Sequence, residues 1–474
     1  MIRGSILACA AASLLAGCAS VPRGDPQVAV LAPGSLGLAA QSPAIGADWW
    51  SAFGDPQLDR LIEAGLANNP SLETGLARVR IATATLEAVR AQQQPQISGL
   101  ATVQELRGSD NFIGGGGWST LGVVGATLNW NLDLFGRQRA TVERARSDAV
   151  AAGLDAAAAR LMIASSIAQT YVGLAQAEQQ IRVGARFVKT RQEALGFVQT
   201  RIRNQLSSQF DLRTAQTLLA EAQQSRVRAL RQRALLVHML AALVGRGADF
   251  YPEIAAPVLA LDRPPSVPQL LPADLLGRRP DLLAGQARID ASVANRRIAR
   301  TAFLPNVSIS ALAGLLSSGL SNLFTASSAQ LGGGPVVTLP IFDGGKLRAQ
   351  YRGATADLDR AVSSYNDSVL TAVRESADAI TNVRSADDDL ARQGEVVSGL
   401  RDTVRLNGVR TRTGLGTQLD AIESGFRLLE AEQQLVGLQA DALSRRIQLI
   451  AALGGGFVPD PPAIAATRTP DPRS

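Results

Sequence analysis

Residues 410–423 read Arg-Thr-Arg-Thr-Gly-Leu-Gly-Thr-Gln-Leu-Asp-Ala-Ile-Glu and lie between two long helical patterns. The two glycines interrupt the helical register, because glycine readily adopts left-handed backbone angles. Thr417 is suited to cap the helix that follows. Asp420 and Glu423 are three residues apart and share one face of that helix near its positive end. The stretch predicts the tip of a long helical hairpin that carries paired carboxylates.

A second stretch at residues 201–213 resembles the first and lies 209 positions earlier. At that offset Leu206 corresponds to Leu415, and Asp211 corresponds to Asp420. Four more landmarks repeat at an offset of 209 or 210: Gly245 with Gly454, Arg139-Ala140 with Arg348-Ala349, Asn69-Pro70 with Arg279-Pro280, and Gln94-Pro95 with Leu304-Pro305. Solenoid repeats are much shorter than this. The pattern therefore predicts a tandem duplication.

The composition favours long helices and excludes several classes of function. Aromatic residues make up only 4% of the chain, and Ala, Leu, Gln and Arg, which are good helix formers, are abundant. The net charge of +6 is modest, and no basic run is interleaved with aromatic residues, so nucleic-acid binding is not expected. No metal-ligand cluster and no nucleophile–base pair stands out. We therefore predict a protein that is not an enzyme and needs no metal or cofactor.

The N-terminus has the pattern of a processed membrane lipoprotein. Arg3 precedes an apolar run at residues 6–15, which is too short to span a bilayer. The run ends in Leu-Ala-Gly-Cys, which resembles a bacterial lipobox, so Cys18 is predicted to be lipidated and to become the N-terminus. Ala19 stands where Asp would favour retention in the inner membrane, which points to the outer membrane. Because one lipid modification anchors weakly, a second membrane attachment is expected.

Two pairs of strands are predicted from alternation with a period of two. From Val124 to Leu132 the even positions are apolar and the positions between them are polar, as in a strand with one wet face. Residues 97–104 are its predicted partner, and the Gly-rich residues 108–117 would join the two as a hairpin. The second repeat alternates in the same way from Asn306, and it is followed by a weaker strand whose extent Pro335 leaves open.

Long helices follow each pair of strands. Residues 136–203 contain no proline, and 67 steps of ~1.5 Å give roughly 100 Å of helix. The helix after the second tip has a coiled-coil seam with steps of three and four residues, apolar at nine of ten positions. Its positions are Leu419, Ile422, Phe426, Leu429, Gln433, Val436, Ala440, Leu443, Ile447 and Ile450.

These patterns divide the chain into six segments. They are a signal peptide at 1–17, an extended linker at 18–48, a first repeat at 49–245, a Pro-rich connector at 246–269, a second repeat at 270–455 and a disordered tail at 456–474. Helices are predicted at 71–94, 136–203, 208–245, 281–303, 346–412 and 417–453, and strands at 96–106, 118–133, 306–316 and 329–341.

Four strands with one apolar face cannot close a barrel in a membrane. Open sheet edges are not tolerated in lipid, and small membrane barrels have at least eight strands. The sequence therefore predicts that copies of the chain share one barrel. The plainer alternative is a soluble hairpin that packs on a helix.

Several motifs together resemble the outer-membrane factors, which are the TolC-like efflux channels, and in particular the lipoproteins of NodT/OprM type. They are the lipobox, Trp49-Trp50, Leu-Asp-Leu-Phe-Gly-Arg at 132–137, Leu-Pro-Ile-Phe-Asp-Gly-Gly at 339–345, and both tips. The resemblance covers nearly all of residues 1–456. It implies an α+β membrane protein: a homotrimer with a 12-stranded outer-membrane β-barrel, four strands from each chain, and a long coiled-coil α-helical barrel in the periplasm.

The same resemblance implies the function. The protein is expected to be a passive duct that exports drugs or other small toxic compounds across the outer membrane. Its implied partners are a periplasmic adaptor, or membrane fusion protein, and an inner-membrane pump of the resistance–nodulation–division class. Two alternatives remain open from the residues alone: a duct for type I protein secretion, and a coiled-coil lipoprotein that only tethers the envelope. The exported compound is not specified by the sequence.

The resemblance also assigns roles at the tips. Family members narrow the pore with two acids that follow Gly-Leu on the second tip, which match Asp420 and Glu423 here, although Glu replaces a second Asp. The arginine that the family has between the glycine and the first acid is absent. Candidate cationic partners of the acids are Arg203, Arg213, Arg410 and Arg412. Expected adaptor contacts are Leu206, Ser207, Ser208, Gly414, Leu415, Gly416 and Thr417. The plainer interpretation of these residues is a solvated helix start and ordinary turn chemistry.

Overall fold

A computed structural model describes residues 24–32, 36, 45–107, 118–267 and 275–458. The predicted signal peptide, Cys18, the loop at 108–117 and nearly all of the predicted tail lie outside the described residues. The described strands are β1 Gln96–Arg107, β2 Trp118–Leu132, β3 Asn306–Ser318 and β4 Ala329–Thr338. The described α-helices are α1 Pro56–Asn68, α2 Pro70–Ala91, α3 Arg137–Arg203, α4 Gln209–Val244, α5 Leu275–Arg278, α6 Pro280–Thr301, α7 Lys346–Arg412 and α8 Gln418–Ala452.

Helices α3 and α7 are the longest elements, with 67 residues each, or roughly 100 Å at ~1.5 Å per residue. Each begins after a glycine with a left-handed backbone, Gly136 at φ 77° and Gly345 at φ 89°. Asp133 and Asp343 accept hydrogen bonds from amides at these helix starts, at 2.9 and 2.7 Å. These carboxylates satisfy donors that have no partner within the helix. The chain therefore passes from strand to long helix in the same way twice.

Helices α2 and α6 end earlier than the sequence patterns predict. They were expected to continue to residues 94 and 303, but they end at Ala91 and Thr301. The next residues form tight turns, in which the Gln94 amide donates to the Ala91 carbonyl at 3.0 Å. The cause is the proline that follows each turn, because a residue before proline is disfavoured in the α conformation.

The four strands form one antiparallel sheet in the order β1-β2-β3-β4. Strands β2 and β3, which come from different halves of the chain, are aligned from Leu121 opposite Ser318 to Leu132 opposite Val307. The two backbones come close together at Gly125, where an added Cβ would lie 2.7 Å from the Ala313 carbonyl oxygen. The outer edges of β1 and β4 have no partner strand among the described residues.

Strand β4 ends at Thr338, three residues before the end that the alternation predicts. Pro340 follows and lacks the amide that would continue the ladder. Pro335 lies inside the strand, opposite Ile309 of β3. A proline is tolerated there because β4 is an edge strand, where one side of the backbone needs no partner within the chain.

The helices lie side by side in two levels. In the half near the sheet, α3 contacts α2 and α6, and α6 contacts α7. In the far half, α3 contacts α4 and α8, and α8 contacts α7. This gives the lateral order α2–α3–α6–α7 near the sheet and α4–α3–α8–α7 near the tips. Like the sheet, each level is a row with two free edges in the described chain.

The largest core cluster lies between the two levels, where α1 packs on the middle of α3 and on the ends of α4 and α8. Its most buried polar contact joins Tyr171 to Asp55, whose Oδ2 accepts a hydrogen bond from the tyrosine hydroxyl at 2.7 Å. The same carboxylate oxygen accepts from the amide of Val258 at 2.9 Å, which fastens the connector between the two repeats. The core therefore fixes how the two rows of helices meet.

Candidate functional site at the helix tips

The two tips are tight turns at residues 204–208, the first tip, and 413–417, the second tip. In each turn a leucine amide donates back to a carbonyl five residues earlier, Leu206 to Arg201 and Leu415 to Arg410, both at 2.8 Å. Such bonds close the end of a helix and require a left-handed residue. Gly414 supplies it on the second tip, with φ 74°, whereas Gln205 supplies it on the first, with φ 58°.

Both returning helices begin with a capping box. On the second tip, the Asp420 amide donates to Thr417 Oγ1 at 3.2 Å, and Asp420 Oδ2 accepts from the Thr417 amide at 3.0 Å. On the first tip, Ser208 and Asp211 make the same reciprocal pair, at 3.2 and 2.8 Å. Two amides that a helix start leaves unpaired are satisfied in this way. Asp420 therefore caps its own helix, whatever else it does.

The capping bonds also set the charge of the two aspartates. The hydrogen bond from the Thr417 amide, followed by that from its hydroxyl, lowers the pKa of Asp420 below its usual range. The amide and hydroxyl of Ser208 lower the pKa of Asp211 in the same way. Because the folded pKa is lowered, each cap is fully formed above the ordinary pKa of aspartate and is lost as the pH falls through the lowered value.

Within one chain, the tip acids Asp420 and Glu423 do not form ion pairs with the four arginines that the sequence suggests. Glu423 is paired with Arg427 at 2.9 Å, four residues along α8. The side chains of the suggested partners bond elsewhere: Arg203 donates to Thr200 at 2.9 Å, Arg213 to Gln216 at 3.1 Å and Arg410 to the Leu415 carbonyl at 3.4 Å. The side chain of Arg412 makes no hydrogen bond or ion pair within the described residues. The Glu-to-Arg spacing of four residues was a visible signal for the Arg427 pair.

The expected adaptor contacts differ in exposure. Leu206 and Leu415 stand at equivalent positions and are 64% and 74% exposed. Phe210, which the sequence analysis did not select, is 77% exposed in the first turn of α4. The hydroxyls of Ser207, Ser208 and Thr417 instead donate to the capping aspartates. Each tip therefore combines an apolar end with a polar turn.

A groove of about 360 Å³ separates the first tip from α8. It has apolar walls that include Phe197, Phe210 and Phe426, and Glu423 lies at its border. Arg191 places its guanidinium carbon 3.4 Å from the centre of the Phe426 ring, and burial lowers the pKa of this arginine. The seam of α8 packs less tightly here than predicted, since Leu419 is half exposed while Phe426 and Leu429 are buried.

The described residues contain no group of three or more His, Cys, Asp or Glu side chains that could hold a metal ion. The tips combine charged side chains, exposed apolar side chains and tight turns. Such an arrangement can bind a partner or line an opening.

The sequence and the fold of the chain are similar to those of known proteins. A family model described as outer membrane efflux protein matches residues 61–246 and again 271–455. The fusaric acid resistance protein FusA of Burkholderia cepacia is 31% identical, over 94% of this chain and 86% of its own length. The multidrug resistance outer membrane protein MdtP of Escherichia coli is 31% identical, over 95% of each chain. The crystal structure of the outer membrane protein VceC from Vibrio cholerae superposes with a TM-score of 0.80, at 30% identity, over 87% of this chain and 100% of that one.

Proposed function

The chain belongs to the outer membrane efflux protein family, and we propose that three copies of it form a passive duct that exports drugs or other small toxic compounds. The protein is an outer-membrane efflux channel component, and its family is one of channels, not enzymes. The substrate class rests on the relatives, since one is named for fusaric acid resistance and another for multidrug resistance.

The observation that supports a trimer is that the sheet and both rows of helices each have two open edges. Strands β1 and β4 lack outer partners, and α4 and α7 are likewise the outer helices of the row near the tips. In lipid an open sheet edge is not tolerated, so β4 of one chain must pair with β1 of the next. Two copies would give eight strands, whose interior is filled by side chains. Three copies give twelve strands and leave space for a duct.

The duplication supports the same assembly. The two segments matched by the family model and the two 67-residue helices suggest that a unit of one strand pair and two long helices was doubled. Three doubled chains would then surround the axis as six similar units. Within each unit the boundaries are those of the predicted repeats, 49–245 and 270–455.

The second tip is proposed to narrow the duct with Asp420 and Glu423. Three copies bring six carboxylates to the far end of the helical barrel, which would attract cations as charged rings do in other channels. In a single chain one acid caps α8 and the other pairs with Arg427. When the tips of three chains come together, the acids would then form contacts with arginines of neighbouring tips. The candidates are Arg203, Arg213, Arg410 and Arg412.

The apolar ends of the tips are proposed to bind a periplasmic adaptor, which links the duct to an inner-membrane pump of the resistance–nodulation–division class. Exposed leucines at equivalent positions of both tips, Leu206 and Leu415, support this proposal. Phe210 beside Leu206 is also exposed, so the first tip displays more than one large apolar side chain. Ser207, Ser208, Gly414, Gly416 and Thr417 would shape the surface around them.

A lipid at Cys18 is proposed to add a second attachment to the membrane. Mature protein is expected to begin at Cys18 and to carry acyl groups, because the lipobox precedes it. Mass spectrometry of the N-terminal peptide measures both features. A mature chain that begins elsewhere, or that carries an unmodified Cys18, would contradict the anchor. A Cys18→Ala variant with a cleavable signal is expected to insert still, because the barrel remains.

Single-channel recording tests the duct itself. Purified protein in a planar bilayer is expected to conduct ions in steps of uniform size, because each trimer opens one path. A coiled-coil tether has no such path, so the absence of steps from correctly assembled protein would contradict the proposal. Export of a polypeptide instead of small compounds by cells that carry the gene would favour the type I secretion alternative.

A further inference from the structure

Residues 24–32, here called the strap, lie along helices α6 and α7 although the sequence suggests only a linker. Oδ1 of Asp359 accepts hydrogen bonds from two consecutive strap amides, at 2.8 and 3.1 Å. Asn366, two turns further along α7, accepts from a third strap amide at 3.0 Å and donates to a strap carbonyl at 2.9 Å. Val28 packs against the apolar cluster between α6 and α7. The strap is therefore a bound segment.

The end of the strap nearest the N-terminus is held by a second group of residues. The guanidinium of Arg296 donates to the carbonyl of Gly24, and the hydroxyl of Tyr351 reaches the same oxygen at 3.5 Å. Arg296 also lies over the Tyr351 ring, 5.3 Å from its centre, and donates to Thr355 at 3.3 Å. One arginine thus joins α6, α7 and the strap.

The direction of the strap follows from these contacts. Tyr351 and Asn366 are fifteen residues apart on α7, which corresponds to roughly 22 Å of helix. The seven steps from Gly24 to Leu31 span about 23 Å when extended, so the strap is straight and runs parallel to α7. Since α7 begins beside the sheet, Gly24 is the end of the strap that points toward the sheet.

The binding residues occur on only one of the two similar helix pairs. Counted from the first residue of each helix, α2 and α3 have apolar side chains at the corresponding positions. Arg296, Asp359 and Asn366 correspond to Leu86, Val150 and Ala157, respectively. General stability of a helix pair does not require these polar groups, since the first pair lacks them. Their presence on the second pair matches the presence of the strap there.

We propose that Arg296, Asp359 and Asn366 form a dock that positions the lipid-bearing N-terminus at the membrane surface. This inference rests on the proposed acylation of Cys18. Gly24 lies six steps along the chain from Cys18, and a chain of that length reaches at most about 20 Å. Gly24 is held beside Tyr351, only about 8 Å along α7 from the helix start. A docked strap therefore keeps the lipid near the sheet, whereas a free one would let it move by tens of ångströms.

Hydrogen exchange tests the dock. In assembled protein, the amides of Gln27, Val28 and Leu31 are expected to be protected, and Asp359→Ala with Asn366→Ala should speed their exchange about tenfold or more. Asp367→Ala is the matched control, because the side chain of this exposed neighbour on α7 makes no hydrogen bond or ion pair within the described residues. Equal exchange of the strap amides in the parent and the double variant would overturn the dock.

A second measurement separates positioning from mere stability. The rate of insertion into phospholipid vesicles is compared for the parent and the dock variant, each with Cys18 intact and as Cys18→Ser with a cleavable signal. The dock variant is expected to insert more slowly only when the lipid is present. An equal slowing without the lipid would mean that the dock is only structural and would overturn the positioning role. If the parent has an unmodified Cys18 but protected strap amides, the proposed lipid anchor is refuted. Binding of the strap to α6 and α7 is then still supported.

Discussion

Removing the charge of both tip acids, by Asp420→Asn with Glu423→Gln, should raise single-channel conductance and weaken cation selectivity. In the proposed trimer, six carboxylates near one axis would attract cations and would hold the tips together only through exposed pairs with arginine. Each such pair contributes only ~0–1 kcal/mol. Loss of several pairs worth about 1.4 kcal/mol in total shifts the balance between closed and open tips about tenfold. Planar bilayer recordings at low and high salt measure both properties.

The amide side chains are chosen because of the capping box. An Asn at position 420 can still accept a hydrogen bond from the Thr417 amide, so the helix start is retained while the charge is lost. Asp211→Asn is the matched control, since Asp211 caps α4 with the same geometry on the first tip. The alanine pair, Asp420→Ala with Glu423→Ala, should lose selectivity to the same degree and loosen the turn in addition. If a correctly assembled double variant has unchanged conductance and selectivity, the two acids do not line the gate. They would then be only solvated residues at the start of a helix.

Valine at Gly314 should prevent the two strand pairs from joining and should abolish assembly. A Cβ at Gly314 would lie 2.5 Å from the Val124 carbonyl oxygen and 2.6 Å from the Gly125 Cα. Both are backbone atoms of β2, so the strands must separate. Overpacking of this kind costs about 1–3 kcal/mol even where side chains can give way. We expect the yield of trimer after detergent extraction to fall at least about tenfold.

The control for this substitution is Gly99→Val in β1. An added Cβ at Gly99 meets no atom within 4 Å in the described chain, and valine favours strands more than glycine does. An intrinsic preference of valine would therefore stabilise both variants. Loss of assembly in Gly314→Val alone identifies the close approach of β2 and β3 as the cause. Normal trimer yield from Gly314→Val would show that these strands do not meet as described.

The alternation of side chains was sufficient to predict the strands but not how they pair. A period of two shows which face of β2 is apolar, and the sequence therefore predicts β1 as its near partner. The pairing of β2 with β3 joins residues 175 to 197 positions apart, from Leu132 with Val307 to Leu121 with Ser318, and no local pattern encodes it. The shortening of α2 to Ala91 was also missed, because proline influences the conformation of the residues before it.

At the tips, the sequence predicted the turn and Thr417 as the helix cap, but not the partner of Glu423. The spacing of Thr417 and Asp420 fits a capping box, which the structure has. The pair of Glu423 with Arg427 was not predicted, because the candidate partners were arginines close to the two turns. Arg191, which covers Phe426 from another helix, depends on packing between helices and has no local signal.

The contacts of the linker could not be predicted from the sequence. The composition of residues 18–48 is rich in Pro, Gly and Ala, which indicates an extended chain. The composition does not indicate that part of this segment is bound. Its partners, Asp359 and Asn366, are more than three hundred residues away and contact only its backbone. Hydrogen bonds to the backbone do not depend on the side chains of the bound segment. They therefore leave no pattern in its amino-acid sequence.

The central claim is that the four-stranded sheet is completed by copies of the same chain. The most direct measurement is the protein molar mass of detergent-extracted material, determined by light scattering with the detergent contribution subtracted. We expect three times the mass of the mature chain, with the β-content retained by circular dichroism. A stable monomer that keeps its β-content would contradict the shared barrel, because its two open sheet edges would then need no partner.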